Sequence, residues 1–254
     1  MRALFLQHDP GSGPGMAGEL LEELGYHLEV VGMSGRLDDG TWHGRFPDPL
    51  DHDLIVPLGA VWSLNDRTQV GTWIDAELEL LRRADSHGVP VLGICFGGQA
   101  LAAAHGGHVE RAPRPELGWI QLDTDDPDLI APGPWMQWHE DRFVLPPGAL
   151  ELARSSVCPQ AFRLRRNLGL QFHPEVDRRV IERWLDLGGA QALTEVARAG
   201  SDPATLRGHA DRFQAPRRED LRRMLTRWLT EVAAEPPDAP PPPRRSAAAP
   251  GVRR

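Results

Sequence analysis

The residues most able to do chemistry are few. The 254-residue chain has two cysteines and no lysine, which removes Schiff-base and phosphate-loop lysine chemistry. Cys95 stands in Val91-Leu92-Gly93-Ile94-Cys95-Phe96-Gly97-Gly98-Gln99. An apolar strand runs into Gly-x-Cys-x-Gly and then into a helix, the pattern of a nucleophile elbow with sulfur in place of hydroxyl. Such a turn forces its central residue into a strained backbone, and small neighbours relieve the crowding. The side chain is then presented at the carboxyl end of the sheet. Cys95 would sit at a helix N-terminus, where unpaired amides favour an anion. Such a terminus together with an imidazolium lowers a thiol from near 8.5 to roughly 3.5–7.5. The Phe96 N–H would point at the same spot and can serve an oxyanion. Cys158, between Val157 and Pro159, has no such turn and reads as a small buried hydrophobe.

A nucleophilic cysteine needs a base. Of ten histidines, one has supporting context: Leu170-Gln171-Phe172-His173-Pro174-Glu175. An apolar strand ends at His173 and Pro174 stops it. The turn can bring the Glu175 carboxylate against the imidazole, fixing its tautomer. Nucleophile, base and orienter follow the logic of a triad. Two other clusters carry less. His105-Gly106-Gly107-His108 reads as a helix C-cap turn, not a metal pair. Gly11–Gly15 lacks the Gly-Lys-Ser ending of a phosphate loop. No metal site and no cofactor are expected.

Strands are expected at 2–8, 27–33, 53–59 and 89–94, with helices at 16–24, 70–86 and 97–105 between and after them. This alternation predicts an α/β fold, a doubly wound, open, mostly parallel sheet with helices on both faces. Residues 108–172 hold short strand-like runs, 118–123, 135–138, 150–154, 160–165 and 168–172, expected to be mixed or antiparallel. A helix is expected at about 177–187. Appended helices follow over 203–233, with Leu221, Met224, Leu225, Trp228, Leu229 and Val232 as a helical stripe. From Glu235 the composition turns to proline, alanine and arginine, which predicts a disordered or polyproline-like tail. The domain reading is therefore 1–187, a helical extension 188–234, and a tail 235–254.

Composition limits the function classes. A hydrophobic share of 41% excludes whole-chain disorder, and the net charge of −8 disfavours nucleic acid and anionic membranes as partners. No apolar run reaches the ~18 residues of a membrane span. The few cysteines and the short apolar stretch at the N-terminus predict a cytoplasmic protein.

With the Cys95 and His173 motifs taken together, the chain resembles the triad-type class I glutamine amidotransferases, most closely a stand-alone glutaminase of the GMP-synthase kind. Two further stretches carry the resemblance. Val56-Pro57-Leu58-Gly59-Ala60-Val61-Trp62-Ser63 is similar to the family's strand and oxyanion turn. Trp138-His139-Glu140-Asp141-Arg142-Phe143, followed by Leu145-Pro146, is similar to its Trp-His-x-Asp segment. The resemblance spans roughly residues 1–187 and implies a flavodoxin-like fold of the class I amidotransferase type. It implies that Cys95 attacks the glutamine side-chain amide and that His173, oriented by Glu175, manages the protons. Amides of Phe96 and of the Gly59–Ala60 turn would hold the oxyanion, and Gln99 would contact substrate. Where many members have a second glycine this chain has Ala60, which takes positive φ poorly. A turn demanding that geometry would be strained here.

The chain after residue 187 is too short for an ATP-binding synthetase domain. The resemblance therefore implies a glutaminase that gives ammonia to a separate synthetase. The alternative is a γ-glutamyl hydrolase or peptidase that uses the same thioester without a partner. A degenerate, non-catalytic interaction module is the third reading, and the intact Cys95, His173 and Glu175 argue against it.

Overall fold

The computed structural model describes residues 1–34 and 39–234. Position 235, where the proline-rich tail was expected to begin, and all that follow lie outside the described residues. In chain order the elements are β1 (Arg2–Gln7), α1 (Gly15–Glu23), β2 (His27–Gly32), β3 (Leu54–Pro57), α2 (Arg67–Val70), α3 (Ile74–Ser86), β4 (Leu92–Ile94) and α4 (Phe96–Ala104). The second half adds β5 (His108–Ile120), β6 (Asp123–Thr124), β7 (Trp135–Val144), β8 (Leu150–Arg154), β9 (Pro159–Leu164), β10 (Asn167–Leu170), α5 (Arg178–Arg198) and α6 (Pro203–Ala234).

The sheet runs β2-β1-β3, then β4-β10-β9-β8-β6. A parallel bridge between Ile55 and Val91 joins the two parts. β2, β1 and β3 are parallel, as are β4 and β10, whereas β9, β8 and β6 are added antiparallel. This is the doubly wound, flavodoxin-like α/β fold. Period-2 alternation explains why both faces are covered. On β1, Ala3 and Phe5 join one core with α1 and the α6 stripe, while Leu4 and Leu6 join another with α3 and α4. The stripe read at 221–232 is thus core: Leu221, Met224, Leu225 and Trp228 are fully buried against the sheet.

Three element boundaries differ from the sequence expectation. The helix expected over 70–86 is two, α2 and α3, with Trp73 at the cap of the second. The run at 118–123 is split between the end of β5 and the start of β6, and 135–138 opens β7, which pairs with β5 in a long antiparallel ladder whose register shifts between Arg111 and Glu116 and so blurs the alternation. The helix expected at about 177–187 breaks at Gly189, φ 51° and ψ −130°, and a second helical run that was not expected carries α5 on to Arg198. Glycine takes that non-helical backbone without a steric cost.

Candidate active site

The elbow is built from glycines that nothing else could replace. Cys95 has φ 50° and ψ −107° and caps α4. A Cβ on Gly97 would lie 2.0 Å from the Pro57 carbonyl oxygen, and one on Gly98 would lie 2.4 Å from that of Leu170. A Cβ on Gly93 would meet the Gly97 carbonyl oxygen at 2.5 Å. The start of α4 is therefore wedged between β3 and β10 with no room for side chains. Backbone bonds complete the wedge: Cys95 N–H donates to the Leu170 carbonyl at 2.8 Å and Gly97 N–H to Leu58 at 3.0 Å. The sulfur is held at the carboxyl end of the strands, beside the first amides of α4.

His173 lies just past β10, where its N–H donates to the Met136 carbonyl at 2.9 Å. Its Nδ1 is 2.7 Å from Glu175 Oε1, and the ring shares the cleft with the Cys95 side chain, close enough for the two to interact electrostatically. Burial alone would drive the proton off this imidazole. The Glu175 carboxylate and the Cys95 sulfur outweigh burial and push His173 up to about 10. Trp184 packs edge-on against the ring at 4.9 Å. Gly59 is on another side, where a Cβ would sit 3.0 Å from His173 Cε1. The Glu175 carbonyl accepts from Met16 N–H at 2.9 Å, and Gly15, φ 49°, permits that approach. The first turn of α1 thus pins the Glu175 backbone.

The turn after β3 is held from below. Asp9 Oδ2 accepts from Val61 N–H at 3.0 Å and from Ser12 Oγ at 3.0 Å, while Oδ1 accepts from Gly11 N–H at 2.7 Å. His8 Nδ1 lies 3.2 Å from the Gly59 carbonyl oxygen and its Nε2 lies 3.1 Å from Glu77 Oε2. Burial opposes charge on His8, but the Glu77 carboxylate prevails and raises its pKa. Neither Gly59 nor Ala60 has positive φ. The turn makes no demand that alanine fails to meet, so the strain expected at Ala60 does not arise. On the other wall Gln99 Nε2 donates to the Asp141 carbonyl at 3.1 Å and Gln171 Nε2 approaches Cys95 Sγ at 3.7 Å.

These parts surround a cleft of about 360 Å³, within the range of small-molecule sites. Cys95, Phe96, Gln99, Ala60 and His173 line it. Glu175 and Gly59 stand behind the imidazole. The sequence reading did not single out His8, Asp9, Ser12 or Glu77. Asp9-Pro10-Gly11-Ser12 has the residue types of an Asx turn at the carboxyl end of a first strand, a signal available from the sequence. Leu187, Gln191 and Glu195 of α5 also line the cleft, and Trp138 Nε1 donates to Glu195 Oε2 at 2.8 Å. The second half of α5 is a wall of the site.

The glutamine amidotransferase class-I family profile matches residues 21–185. The chain belongs to the class I glutamine amidotransferases. It is 41% identical over 184 residues to the glutamine-hydrolyzing GMP synthase of Aeropyrum pernix, covering 67% of this chain and 33% of that protein. One subunit of the glutamine-hydrolyzing GMP synthase of Thermococcus kodakarensis is 36% identical over 106 residues, 38% of this chain and 56% of that protein. The chain thus spans between a third and about half of these relatives. Among solved structures, a glutamine amidotransferase from Thermotoga maritima superposes with a TM-score of 0.77 at 25% identity, over 90% of this chain and 98% of that one. No helix among the described residues is long and apolar enough to cross a membrane.

Proposed function

We propose that the chain hydrolyses the side-chain amide of glutamine through a γ-glutamyl thioester on Cys95 and delivers the ammonia to a separate synthetase. The observation that carries this reading is one constellation: a sulfur on a strained elbow, facing the same cleft as an imidazole that a buried carboxylate holds. His173 keeps a proton beside the sulfur that attacks the amide carbon. The S–C bond forms as the carbonyl π-electrons move to oxygen, where the amides of Phe96 and of the Gly59–Ala60 turn receive the charge. On collapse the C–N bond breaks and His173 gives its proton to the leaving nitrogen. Water, deprotonated by His173, then attacks the thioester, the C–S bond breaks, glutamate leaves, and the Cys95 sulfur is freed with His173 protonated again. In this reading residues 1–187 carry the chemistry and the 188–234 extension supplies the cleft wall from α5 and a buttress from α6. Likeness to GMP synthases, both the longer Aeropyrum chain and the shorter Thermococcus one, favours an ATP-dependent nucleotide-amidating partner.

The test incubates the purified chain with glutamine, follows ammonia, and seeks a covalent adduct of a glutamine-analogue electrophile by mass spectrometry. Labelling of Cys95 is expected, with ammonia release that rises on adding a synthetase of the GMP-synthase type. Labelling by a γ-glutamyl conjugate but not by the glutamine analogue would favour the hydrolase reading. An unlabelled Cys95 would overturn both.

A further inference from the structure

Glu116 on β5 and His139 on β7 are direct cross-strand partners. Cys158, just before β9, completes a buried group with them, and one potential ligand atom from each lies within 4.8 Å of the others. Glu116 Oε2 is 3.4 Å from His139 Nε2 and 3.5 Å from Cys158 Sγ. In a tetrahedral zinc site, bonds of roughly 2.0–2.3 Å place ligand atoms about 3.3–3.8 Å apart. Two of the three edges already have that length.

The protonation pattern points the same way. His139 Nδ1 lies 3.0 Å from the Asp141 carbonyl oxygen, an acceptor only, so Nδ1 carries the proton. This is the outer-shell arrangement that fixes the tautomer of metal-binding histidines. Nε2 then faces the Glu116 carboxylate. His139 is 5% exposed, and its Nε2 has no hydrogen-bond partner. Gln160 is fully buried beside it, and its Oε1 is likewise unpartnered. Its Nε2 is 2.8 Å from Glu116 Oε2 and 3.4 Å from Cys158 Sγ. The N and O of an amide are exchanged by a half-turn, which would aim the carbonyl oxygen into the group as a fourth ligand. Ser155 Oγ donates to Glu116 Oε2 at 3.0 Å and steadies the carboxylate.

We propose that Glu116, His139 and Cys158, with Gln160 as fourth ligand, bind one divalent cation of the zinc type. Sulfur, imidazole and carboxylate together suit zinc, not magnesium or calcium. Without an ion, burial and the Glu116 charge push the Cys158 thiol up to about 12. A bound cation reverses that balance and releases the thiol proton to solvent. The ion would tie the β5–β7 ladder to β9. Because Trp138, Glu140 and Asp141 flank His139 and line the cleft, it would also fix that wall. His139 itself lines the cleft beside these residues, but the site uses none of Cys95, His173 and Glu175 and stands whatever the cleft's substrate.

The test uses the full chain, dialysed against a chelator and titrated with Co²⁺ and then Zn²⁺. One equivalent of Co²⁺ should give a thiolate-to-cobalt charge-transfer band and the visible bands of tetrahedral cobalt, and Zn²⁺ should displace it. Cys158→Ser should lose the charge-transfer band and weaken binding at least tenfold, whereas Cys95→Ala should keep both. In zinc-loaded Cys95→Ala the remaining thiol is Cys158, so X-ray absorption should show a sulfur neighbour even where Cys158→Ser fails to fold. Binding of neither metal would overturn the site, leaving Glu116 and His139 as a buried cross-strand pair. A band lost in Cys95→Ala, or sulfur-free coordination there, would also overturn it.

Discussion

Cys95 and Cys158 are equally buried, 5% and 4% exposed, yet their surroundings are opposite. Cys95 sits on a left-handed backbone at a helix N-terminus, with His173 as neighbour. Cys158 sits against the Glu116 carboxylate, which with burial keeps its thiol protonated far into alkaline pH. Exposure does not separate the two; the sign of the nearest charge and the backbone beneath do. A thiol beside a carboxylate is useful only to something that brings positive charge of its own. A thiol beside an imidazolium is a nucleophile.

The largest expected effect follows from that contrast. Cys95→Ala should lower glutamine turnover by at least about a thousandfold, since it removes the atom that forms the covalent bond. In the native wild-type chain near neutral pH, a thiol reagent should modify Cys95 and leave Cys158 intact. Peptide mapping after labelling checks this, and equal modification of the two would break the comparison.

A smaller effect belongs to Glu175. Glu175→Gln should reduce kcat by roughly ten- to a hundredfold, because it removes an orienting group and leaves the nucleophile in place. The pH profile sharpens the point. His173 is raised to about 10 in part by the Glu175 charge, so its imidazolium persists through neutral pH. Activity falls on the alkaline side as that proton is lost. Neutralising Glu175 lowers the pKa, so the alkaline limb should move toward lower pH. An unmoved limb would mean that Glu175 does not set the charge state of His173.

Asp9 acts one step further out. Its two carboxylate oxygens accept from the amides of Val61, Gly11 and Ser12, and in Asp9→Asn an N–H₂ group replaces one of them. The turn that carries Gly59 and Ala60 loses its anchor while the cleft walls keep theirs. kcat should fall about tenfold with KM nearly unchanged, since oxyanion donors act mainly in the transition state. A rise in KM alone would place Asp9 in ground-state binding.

Legibility in the sequence follows the range of each interaction. The strand–helix alternation up to α4 was readable because each element is short, apolar and closed by its own turn residues. Cys95, His173 and Glu175 were readable as candidates because two local motifs carry them, although the backbone bonds from β3, β7 and β10 that bring them together are long-range. The second half was harder. The pairing of β5 with β7 hides behind a register shift at Arg111–Glu116, and the helical run of α5 beyond the Gly188–Gly189 stop carries no sequence signal of its own. His8 with Glu77, and Glu116 with His139 and Cys158, are assembled from residues far apart in the chain, and of these only His139 lies in a recognisable motif. Tertiary packing creates such groups, and periodicity carries no trace of it.

The elbow's own conformation gives the smallest and most specific effect. At φ 50° and ψ −107°, Cys95 occupies a region that side chains other than glycine enter at a cost of order 1–3 kcal/mol. Cys95→Ala keeps the Cβ and therefore the strain, whereas Cys95→Gly releases it. Both variants lose the nucleophile, so their difference in stability reports the backbone alone. Glycine would ordinarily be the less stable of the two, because it gives up more chain entropy on folding. Here it should be the more stable by about 1 kcal/mol, or roughly 2–4 °C in Tm for a chain of this size. At position 158, which is not among the positive-φ residues, the order should reverse, with alanine above glycine. Thermal melts of the four variants measure both differences. The same order at the two positions would mean that Cys95 is not held in a strained backbone, and the contrast between the two cysteines would then reduce to charge.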